Sequence, residues 1–227
     1  MIFWYFDESL SVTVFIHDGS PIKKGDKILE VVGEERNILS CERLVLNCMQ
    51  RMSGIATLTQ RFVKTIEGTN AKILDTRKTT PLFRAAEKWA VKIGGGKNHR
   101  FGLYDMILIK DNHVDYAGGI QHAVEKANAY LKENNLKIPI EIETRNLDEV
   151  RQVMTTGNVN RIMLDNFTPE LIREALKIIN RKFETEVSGG ITLETIRAYA
   201  ETGVDFISVG ALTHSYTSLD FSLKAVK

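Results

Sequence analysis

The chain has 227 residues, of which 43% are hydrophobic and 26% charged, a balance typical of a compact globular protein with a sizeable core. Lysine and arginine total 30 against 29 acidic residues, and the net charge of +1 argues against a nucleic-acid partner, which would call for a basic excess. No apolar run approaches the ~20 residues that a membrane-spanning helix needs, so we expect no membrane partner. Cys41 and Cys48 form no CxxC pair and no metal-binding spacing, which favours reduced thiols and a cytoplasmic location.

The first forty or so residues predict short β-strands joined by turns. The apolar run at 2–6 is too short for the core of a signal peptide and lacks a basic flank, so it predicts a buried strand. Further strands are predicted at 12–16 and 28–32, where β-rich runs are separated by turn signals. We therefore expect residues 1–43 to be part of a small domain that would need more chain before Met1 to be complete.

From residue 44 onward, one unit of strand and helix recurs. A helical pattern covers 44–66 and is interrupted at Ser53 and Gly54. Apolar β-runs follow at 72–74, 106–109, 138–142, 161–164, 184–187 and 205–209. Amphipathic helices are predicted between them at 81–92, 120–133, 147–156, 169–182 and 193–202.

The alternation of strands and helices predicts a parallel sheet with right-handed crossovers. Six repeats of the unit within 44–227 favour a closed or nearly closed βα barrel. A doubly wound open sheet is the alternative. It is disfavoured because no dinucleotide-binding glycine pattern follows the first strand.

Cationic residues gather where the early strands are predicted to end. In a βα barrel these ends open on one face, where active sites are built. Arg77, Lys78 and Lys110 follow two of the β-runs, and a triple-glycine loop leads to His99 and Arg100. Such cations would repel one another, which indicates a strongly anionic ligand with carboxylates for the arginines. Solvated salt bridges are the alternative, and for His99 a structural hydrogen bond competes with acid–base work.

Two carboxylates, Glu143 and Asp165, follow the next two strands. Mg²⁺ usually takes one or two carboxylates together with phosphate oxygens, so the pair predicts a Mg²⁺ site shared with pyrophosphate. Direct neutralisation of the cations is an equally open interpretation. Glu141 shares strand parity with Glu143, and the sequence does not decide which of these two side chains faces the site.

Glycines mark the last two strand ends. Ser188, Gly189 and Gly190 precede a helix predicted to start near Thr192, so free backbone N–H groups would face an anion. Gly210 ends the final strand. Because barrel enzymes often bind phosphate with the loops after their last two strands, we predict a phosphate site here.

Segments of the chain resemble quinolinate phosphoribosyltransferases, in that family's order and over nearly the whole chain from Gly19 onward. The most specific are DTRKT at 75–79 and GGGKNHR at 94–100. The others are ERLVLN at 42–47, SGIAT at 53–57, IKDNH at 109–113, LDNF at 164–167, SGG at 188–190 and VGALTHS at 209–215.

The resemblance implies a fold and an assembly. It implies a partial N-terminal α/β sandwich over 1–43 and an incomplete, seven-stranded TIM-like α/β barrel over 44–227. It also implies a homodimer in which the sandwich of one subunit helps to cover the barrel mouth of the other. Fewer residues precede Gly19 than in most family members, so we expect the sandwich to be incomplete.

The same resemblance implies a role for each strand-end residue. Arg43 would reach quinolinate in the partner's site. The residues holding the quinolinate carboxylates would be Arg77, His99 and Arg100. Lys78 and Lys110 would contact quinolinate and the phosphoribosyl donor, and Glu143 and Asp165 would face the ribose and Mg²⁺. The 5-phosphate would be held by Ser188, Gly189, Gly190 and Gly210.

The implied reaction joins quinolinate to phosphoribosyl pyrophosphate and yields nicotinate mononucleotide, pyrophosphate and CO₂ for de novo NAD synthesis. Mg²⁺ and the lysines would stabilise the departing pyrophosphate. The quaternised ring nitrogen would stabilise the carbanion formed as CO₂ leaves, so no covalent nucleophile is needed. The alternatives are a related phosphoribosyltransferase that uses nicotinate, whose one carboxylate needs fewer arginines, and a non-catalytic barrel that binds phosphorylated ligands.

Overall fold

The N-terminal unit is small and contains both helix and strand. The computed structural model describes residues 2–226. Helix α1 covers Ile2–Phe6, and strands β1 (Ser11–Val14) and β2 (Leu29–Val32) pair in antiparallel fashion. The strand predicted at 2–6 is therefore wrong. Short apolar runs do not distinguish helix from strand. Here the run forms a short helix that buries Phe3 in a small apolar cluster.

The long helix α2, Glu35–Thr65, connects this unit to the rest of the molecule. Its first half packs Cys41 and Val45 against the N-terminal cluster, and its second half contributes to the main core. The predicted interruption at Ser53 and Gly54 does not occur. Gly54 lies inside the continuous helix. Its lack of a side chain allows the backbone of Thr217 to pack directly against it, where a Cβ atom would collide with the Thr217 carbonyl group.

The six β-runs predicted after residue 70 all form strands of one parallel sheet. They are β3 Lys72–Leu74, β4 Ile107–Ile109, β5 Ile140–Thr144, β6 Arg161–Asp165, β7 Glu184–Ser188 and β8 Phe206–Ser208. The strand order is β3-β8-β7-β6-β5-β4, and Lys97 adds a single parallel bridge to Leu74 beyond β3. Within residues 2–226 no ladder joins Lys97 to β4, so the barrel stays open there. The predicted incomplete barrel is confirmed, but over the described residues its sheet has six strands rather than seven, and Lys97 contributes only an isolated bridge.

Helices cover the outside of the sheet. They are α3 Arg84–Ile93, α4 Asp111–Ala117, α5 Ile120–Glu133, α6 Leu147–Thr156, α7 Pro169–Ile179, α8 Ile196–Ala200 and α9 Ala211–His214. Helices α5 and α6 have the predicted bounds, whereas α4 was not predicted. Helix α8 begins at Ile196 rather than near Thr192, because a turn over 193–195 separates it from the preceding glycines. None of the described helices is long and apolar enough to cross a membrane.

The two faces of the sheet have opposite character. Ile142, Leu164 and Ile207 are fully buried in the apolar core that includes residues of the helices. Side chains of the other parity are of mixed character: Glu141 and Glu186 are fully buried there, in register with the apolar Leu108, Met163 and Phe206. The main apolar core therefore lies between sheet and helices, while the interior of the barrel combines charged side chains with a few apolar ones.

Candidate active site

Two acids, from β5 and β6, lie at the C-terminal ends of the strands beside the hydroxyl of Ser188 from β7. Strand register places Asp165 opposite Ser188, whose hydroxyl donates to Asp165 Oδ1 at 2.5 Å. The side-chain amide of Asn166 donates to Asp165 Oδ2 at 2.6 Å. Glu143 ends the neighbouring strand, with the Nζ of Lys110 3.8 Å from its Oε2. The acids predicted at successive strand ends therefore occupy one region of the barrel mouth.

Electrostatics link the two acids. Burial raises the pKa of Glu143, the negative charge of Asp165 raises it further, and Lys110 only partly opposes both effects. The side chain of Lys110 is 51% exposed and that of Glu143 is 11% exposed, so the cation is the more hydrated partner. Two hard oxygen donors with incomplete neutralisation are a suitable site for a divalent cation.

Both glutamates of β5 face the barrel interior, at different depths. Glu143 lies at the mouth beside Lys110. Glu141 lies one inward-facing position deeper and is fully buried beside His99. Side chains two positions apart on a strand share a face, so both glutamates point into the barrel. The sequence left open which of them faces the site, and in the structure they occupy two layers, Glu143 at the mouth and Glu141 below it.

The loop after β3 and the segment after the glycines bring two arginines together. Burial lowers the pKa of Arg100, and the positive charge of Arg77 lowers it further. The Nε of Arg77 is buried and has no hydrogen-bond partner among the described residues. An Arg100 guanidinium nitrogen reaches only the carbonyl oxygen of Met106, at 3.4 Å. Two guanidinium groups with unused donors are suited to an anion with more than one carboxylate.

A buried ion pair that the sequence did not reveal fixes this arginine-bearing segment. The Lys88 Nζ lies 2.5 Å from Asp75 Oδ1 and donates to the His99 carbonyl oxygen at 2.9 Å. Asp75 also accepts the backbone N–H of His99 at 2.8 Å and the Asn98 side chain at 2.9 Å. Lys88 lies inside a predicted helix, where a lysine normally indicates a solvent-facing position. Only the contact with a strand-end aspartate reveals its role.

The imidazole of His99 extends into the barrel. Its Nε2 is 2.9 Å from Glu141 and 3.4 Å from Glu186. Its Nδ1 accepts the backbone N–H of Arg100 at 2.7 Å. Ser208 and Arg161 complete the surroundings of Glu186, the former by a short hydrogen bond and the latter by an ion pair of 2.9 Å.

This interior cluster takes up protons. Burial lowers the pKa of His99, but the close contacts and negative charges of Glu141 and Glu186 outweigh burial and raise it to about 9. Burial and the charge of Glu186 raise the pKa of Glu141 to about 7, against the opposing effect of His99. Because the Arg100 N–H already points at Nδ1, a second ring proton is disfavoured geometrically. The additional proton therefore belongs to the coupled cluster rather than to the ring alone.

The predicted phosphate segment forms a tight glycine turn. Gly189 has φ +100°, and a Cβ atom there would collide with Asn166. Gly190 has φ +56° with open space around it. Their backbone N–H groups donate no hydrogen bond within residues 2–226. These amides remain available to an anion beside Ser188.

The remaining predicted residues divide into two groups. Gly210 lies beside the aliphatic part of Lys78, and Thr213 donates to the Lys78 carbonyl oxygen at 2.8 Å. These residues therefore share one side of the mouth. Arg43 is exposed on the half of α2 that packs against the N-terminal unit, apart from the strand ends. Its predicted role in a partner's site stays a prediction.

Fold and site together define a class: an open βα-barrel protein whose strand ends are arranged for a phosphorylated, multiply anionic ligand. Residues 55–224 match the quinolinate phosphoribosyl transferase C-terminal domain, and residues 1–53 match the corresponding N-terminal domain. The chain belongs to the quinolinate phosphoribosyltransferase family. The resemblance drawn from the sequence motifs is confirmed.

Individual relatives agree with this assignment. The chain is 49% identical to quinolinate phosphoribosyltransferase 2b (decarboxylating), mitochondrial, of Nicotiana tabacum, over 99% of the chain and 67% of that protein. It is 45% identical to the probable nicotinate-nucleotide pyrophosphorylase (carboxylating) of Bacillus subtilis, over 97% of the chain and 75% of that protein. Among solved structures, NadC from Streptococcus pyogenes superposes with a TM-score of 0.92 at 40% identity, over 98% of the chain and 78% of NadC.

Proposed function

We propose that this protein transfers a phosphoribosyl group from phosphoribosyl pyrophosphate to quinolinate, with loss of CO₂, in the de novo synthesis of NAD. It is a pentosyltransferase, a carboxylating nicotinate-nucleotide diphosphorylase when named for the reverse direction. The observation that carries the proposal is the pairing of Arg77 with Arg100 in a barrel that also brings Glu143 and Asp165 to its mouth. One polyanion can occupy the arginine side while the other occupies the acidic and glycine-bearing side.

Binding of quinolinate uses the arginine side. The unused donors of Arg77 and Arg100 match the two carboxylates of quinolinate, whereas nicotinate has only one. Quinolinate held there directs its ring nitrogen toward the ribose carbon of the donor. Once that nitrogen is quaternised, its positive charge stabilises the electron pair left on the adjacent ring carbon as the carboxylate departs as CO₂, and that carbon then takes up a proton from water.

Binding of the donor uses the opposite side. The free N–H groups of Gly189 and Gly190 support the 5-phosphate, with Gly210 and Lys78 beside it. Lys110 extends from the mouth toward the pyrophosphate, where its compact charge offsets the charge that builds up on departure. Holding both polyanions in line lowers the barrier mainly through positioning.

A bound Mg²⁺ belongs to the proposal. Glu143 and Asp165 would hold it, and it would supply electrostatic stabilisation of the leaving pyrophosphate. The raised pKa of Glu143 beside Asp165 supports this assignment, because a cation would relieve the repulsion. The same ligand set also explains why Asn166 and Ser188 orient both oxygens of Asp165.

Substitution of Arg77 tests the substrate. With Arg77→Ala, we expect the rate of nicotinate mononucleotide formation from quinolinate to fall by at least about 100-fold, since a bidentate carboxylate contact is lost. Arg173→Ala, on the exposed side of α7, is the matched control and should behave like the unsubstituted protein. Product from nicotinate but none from quinolinate would overturn the proposal, and unchanged turnover of Arg77→Ala would remove Arg77 from the site.

Removal of the metal provides a second test. Chelation should abolish product formation, and Mg²⁺ with pyrophosphate should raise the melting temperature of the chelated protein through binding to its folded state. Asp165→Asn should lose most of that thermal shift, whereas Asp148→Asn, an exposed residue of α6, should retain it. A full shift in Asp165→Asn would contradict the assigned ligands.

We also propose a homodimer and a cytoplasmic location. The N-terminal unit exposes Trp4, Tyr5 and Phe6, at 57%, 90% and 52%, and an apolar group of this kind is typical of an interface. The free thiols of Cys41 and Cys48 agree with a reducing compartment. Sedimentation of the purified protein and fractionation of cells that express it are the corresponding measurements.

A further inference from the structure

The barrel interior below the arginine pair contains a charged group that the reaction itself does not use. Glu141 and Glu186, from β5 and β7, are both fully buried. They approach the same atom, the Nε2 of His99, at 2.9 and 3.4 Å. Charged groups in such a position reduce stability unless they are paired, so a functional reason for them has to be sought.

Three of the four polar atoms of His99 form hydrogen bonds with the protein, and the fourth, Nε2, lies close to two carboxylates without a hydrogen bond of good geometry. Its backbone N–H donates to Asp75 at 2.8 Å, and its carbonyl oxygen accepts from Lys88 at 2.9 Å. Its Nδ1 accepts from the Arg100 N–H at 2.7 Å, while Nε2 faces the two glutamates. Only 8% of His99 is exposed, so its ring is better placed to hold a neighbouring residue than to bind a ligand.

The residue that this ring holds is Arg100. Arg100 stands beside Arg77, and two like charges separate unless the structure behind them is rigid or an anion lies between them. The hydrogen bond from the Arg100 N–H to His99 anchors the main chain from which the guanidinium extends. The negative charge of Glu141 also attracts Arg100 from behind.

The charges within the cluster are met without an additional ion. Arg161 forms an ion pair of 2.9 Å with Glu186, and His99 lies against both glutamates. Glu141 has no hydrogen-bond partner of good geometry among the described residues, so its contact with His99 is its principal interaction there. Removing that contact should therefore act first on His99.

We propose that Glu141 and Glu186 are positioning residues for substrate recognition: they orient the His99 ring, which fixes Arg100 beside Arg77 for the second carboxylate of the substrate. This inference deepens the proposed function and rests on it. Displacement of a binding group by about 1 Å can cost orders of magnitude in rate, so buried residues far from the ligand can determine its affinity.

Steady-state kinetics with a matched control test the proposal. Glu141→Gln and Glu186→Gln should each raise the KM for quinolinate at least about 10-fold while leaving the KM for phosphoribosyl pyrophosphate within about twofold. Glu184→Gln is the control, because Glu184 lies on the same strand as Glu186 and also pairs with Arg161, yet does not contact His99. Equal changes in both KM values, or a lower melting temperature with both KM values unchanged, would overturn the proposal.

A second measurement does not depend on activity. In ¹⁵N spectra of the imidazole rings, the signals of His99, assigned with a His99→Gln variant, should move in Glu141→Gln and Glu186→Gln and stay in place in Glu184→Gln. Unmoved signals in an active enzyme would defeat this inference alone, whereas absence of product from the unsubstituted protein would defeat the proposed function and leave the spectra interpretable.

Two further outcomes are decisive. If Glu141→Gln does not fold, Ser208→Ala removes only the hydroxyl that contacts Glu186 and should produce a smaller rise in the KM for quinolinate. A tightly bound metal ion that is lost in Glu141→Gln but kept in Asp165→Asn would overturn the proposal, because the cluster would then be a ligand set. Metal analysis of the purified protein distinguishes the two.

Discussion

Arg77 and Arg100 show how single residues shape this site, since they repel each other side by side and depend on the residues behind them to stay in place. Their mutual repulsion lowers the pKa of Arg100 beyond the effect of burial. Behind them, the Asp75–Lys88 ion pair and the hydrogen bond to His99 hold the backbone in place. The two neighbouring positive charges therefore favour the binding of an anion, and the carboxylates of the substrate can neutralise them.

The raised pKa of His99 makes a stability prediction. The additional proton is held by His99 together with Glu141 and Glu186, and its folded pKa of about 9 lies above the ordinary histidine value near 6.5, so it contributes stability that is fully present below ~6.5 and lost as pH rises through ~9. The unfolding free energy of the unsubstituted protein should exceed that of His99→Gln by up to roughly 3 kcal/mol more at pH 6.5 than at pH 9. Urea unfolding at the two pH values measures this. A difference between the proteins that does not vary with pH would contradict it.

The sequence revealed the residues at the strand ends but not those beneath them. Arg77, Lys110 and Asp165 stand out because charged residues directly after an apolar run have no role in the core. Lys88 lies within a helix and Glu186 within a strand. Hydrophobic periodicity alone assigns charged residues at such positions to a solvent-exposed face. Their burial depends on contacts between elements distant in sequence, which no local pattern records.

At the scale of elements, α2 illustrates why glycine is ambiguous in a sequence. Glycine lowers helix stability, so Ser53 and Gly54 predicted an interruption. The glycine is instead required because residues near the C-terminus cross the helix there, and Leu219 donates its N–H to the Gln50 carbonyl oxygen. Helix α4 was not predicted, because the polar residues Lys110–His113 indicate a site rather than the start of a helix.

Substitution of Gly54 should expose this packing. Gly54→Ala should lower the unfolding free energy by about 1–3 kcal/mol through collision with the Thr217 backbone, although alanine favours helix by about 1 kcal/mol. Thr57→Ala, at an exposed position of the same helix, should be neutral or slightly stabilising. Denaturant midpoints give both values, and an unchanged or higher midpoint for Gly54→Ala would show that the crossing segment yields.

At the scale of the molecule, the open barrel and the N-terminal unit differ in how well the sequence predicts them. The barrel encloses charged side chains together with a few apolar ones, and its main apolar core lies outside the sheet, under the helices. Repetition of strand and helix made this part predictable from the sequence, whereas the N-terminal unit, with its short elements, was predicted less accurately. Arg43 belongs to the helix that connects the two parts, on the half that packs against the N-terminal unit.

A mixing experiment decides whether Arg43 acts across subunits. Arg43→Ala and Asp165→Asn should each be nearly inactive as separate proteins. If each site combines Arg43 of one subunit with Asp165 of the other, a mixed dimer contains one intact site, and random exchange of subunits should restore about a quarter of the unsubstituted activity. The same exchange with Asp165→Asn and Glu143→Gln is the control. Both residues lie at one barrel mouth, so every site of a mixed dimer carries one of the two defects and activity should not be restored. Activity that stays at the level of the separate proteins in the first mixture would place Arg43 outside the partner's site.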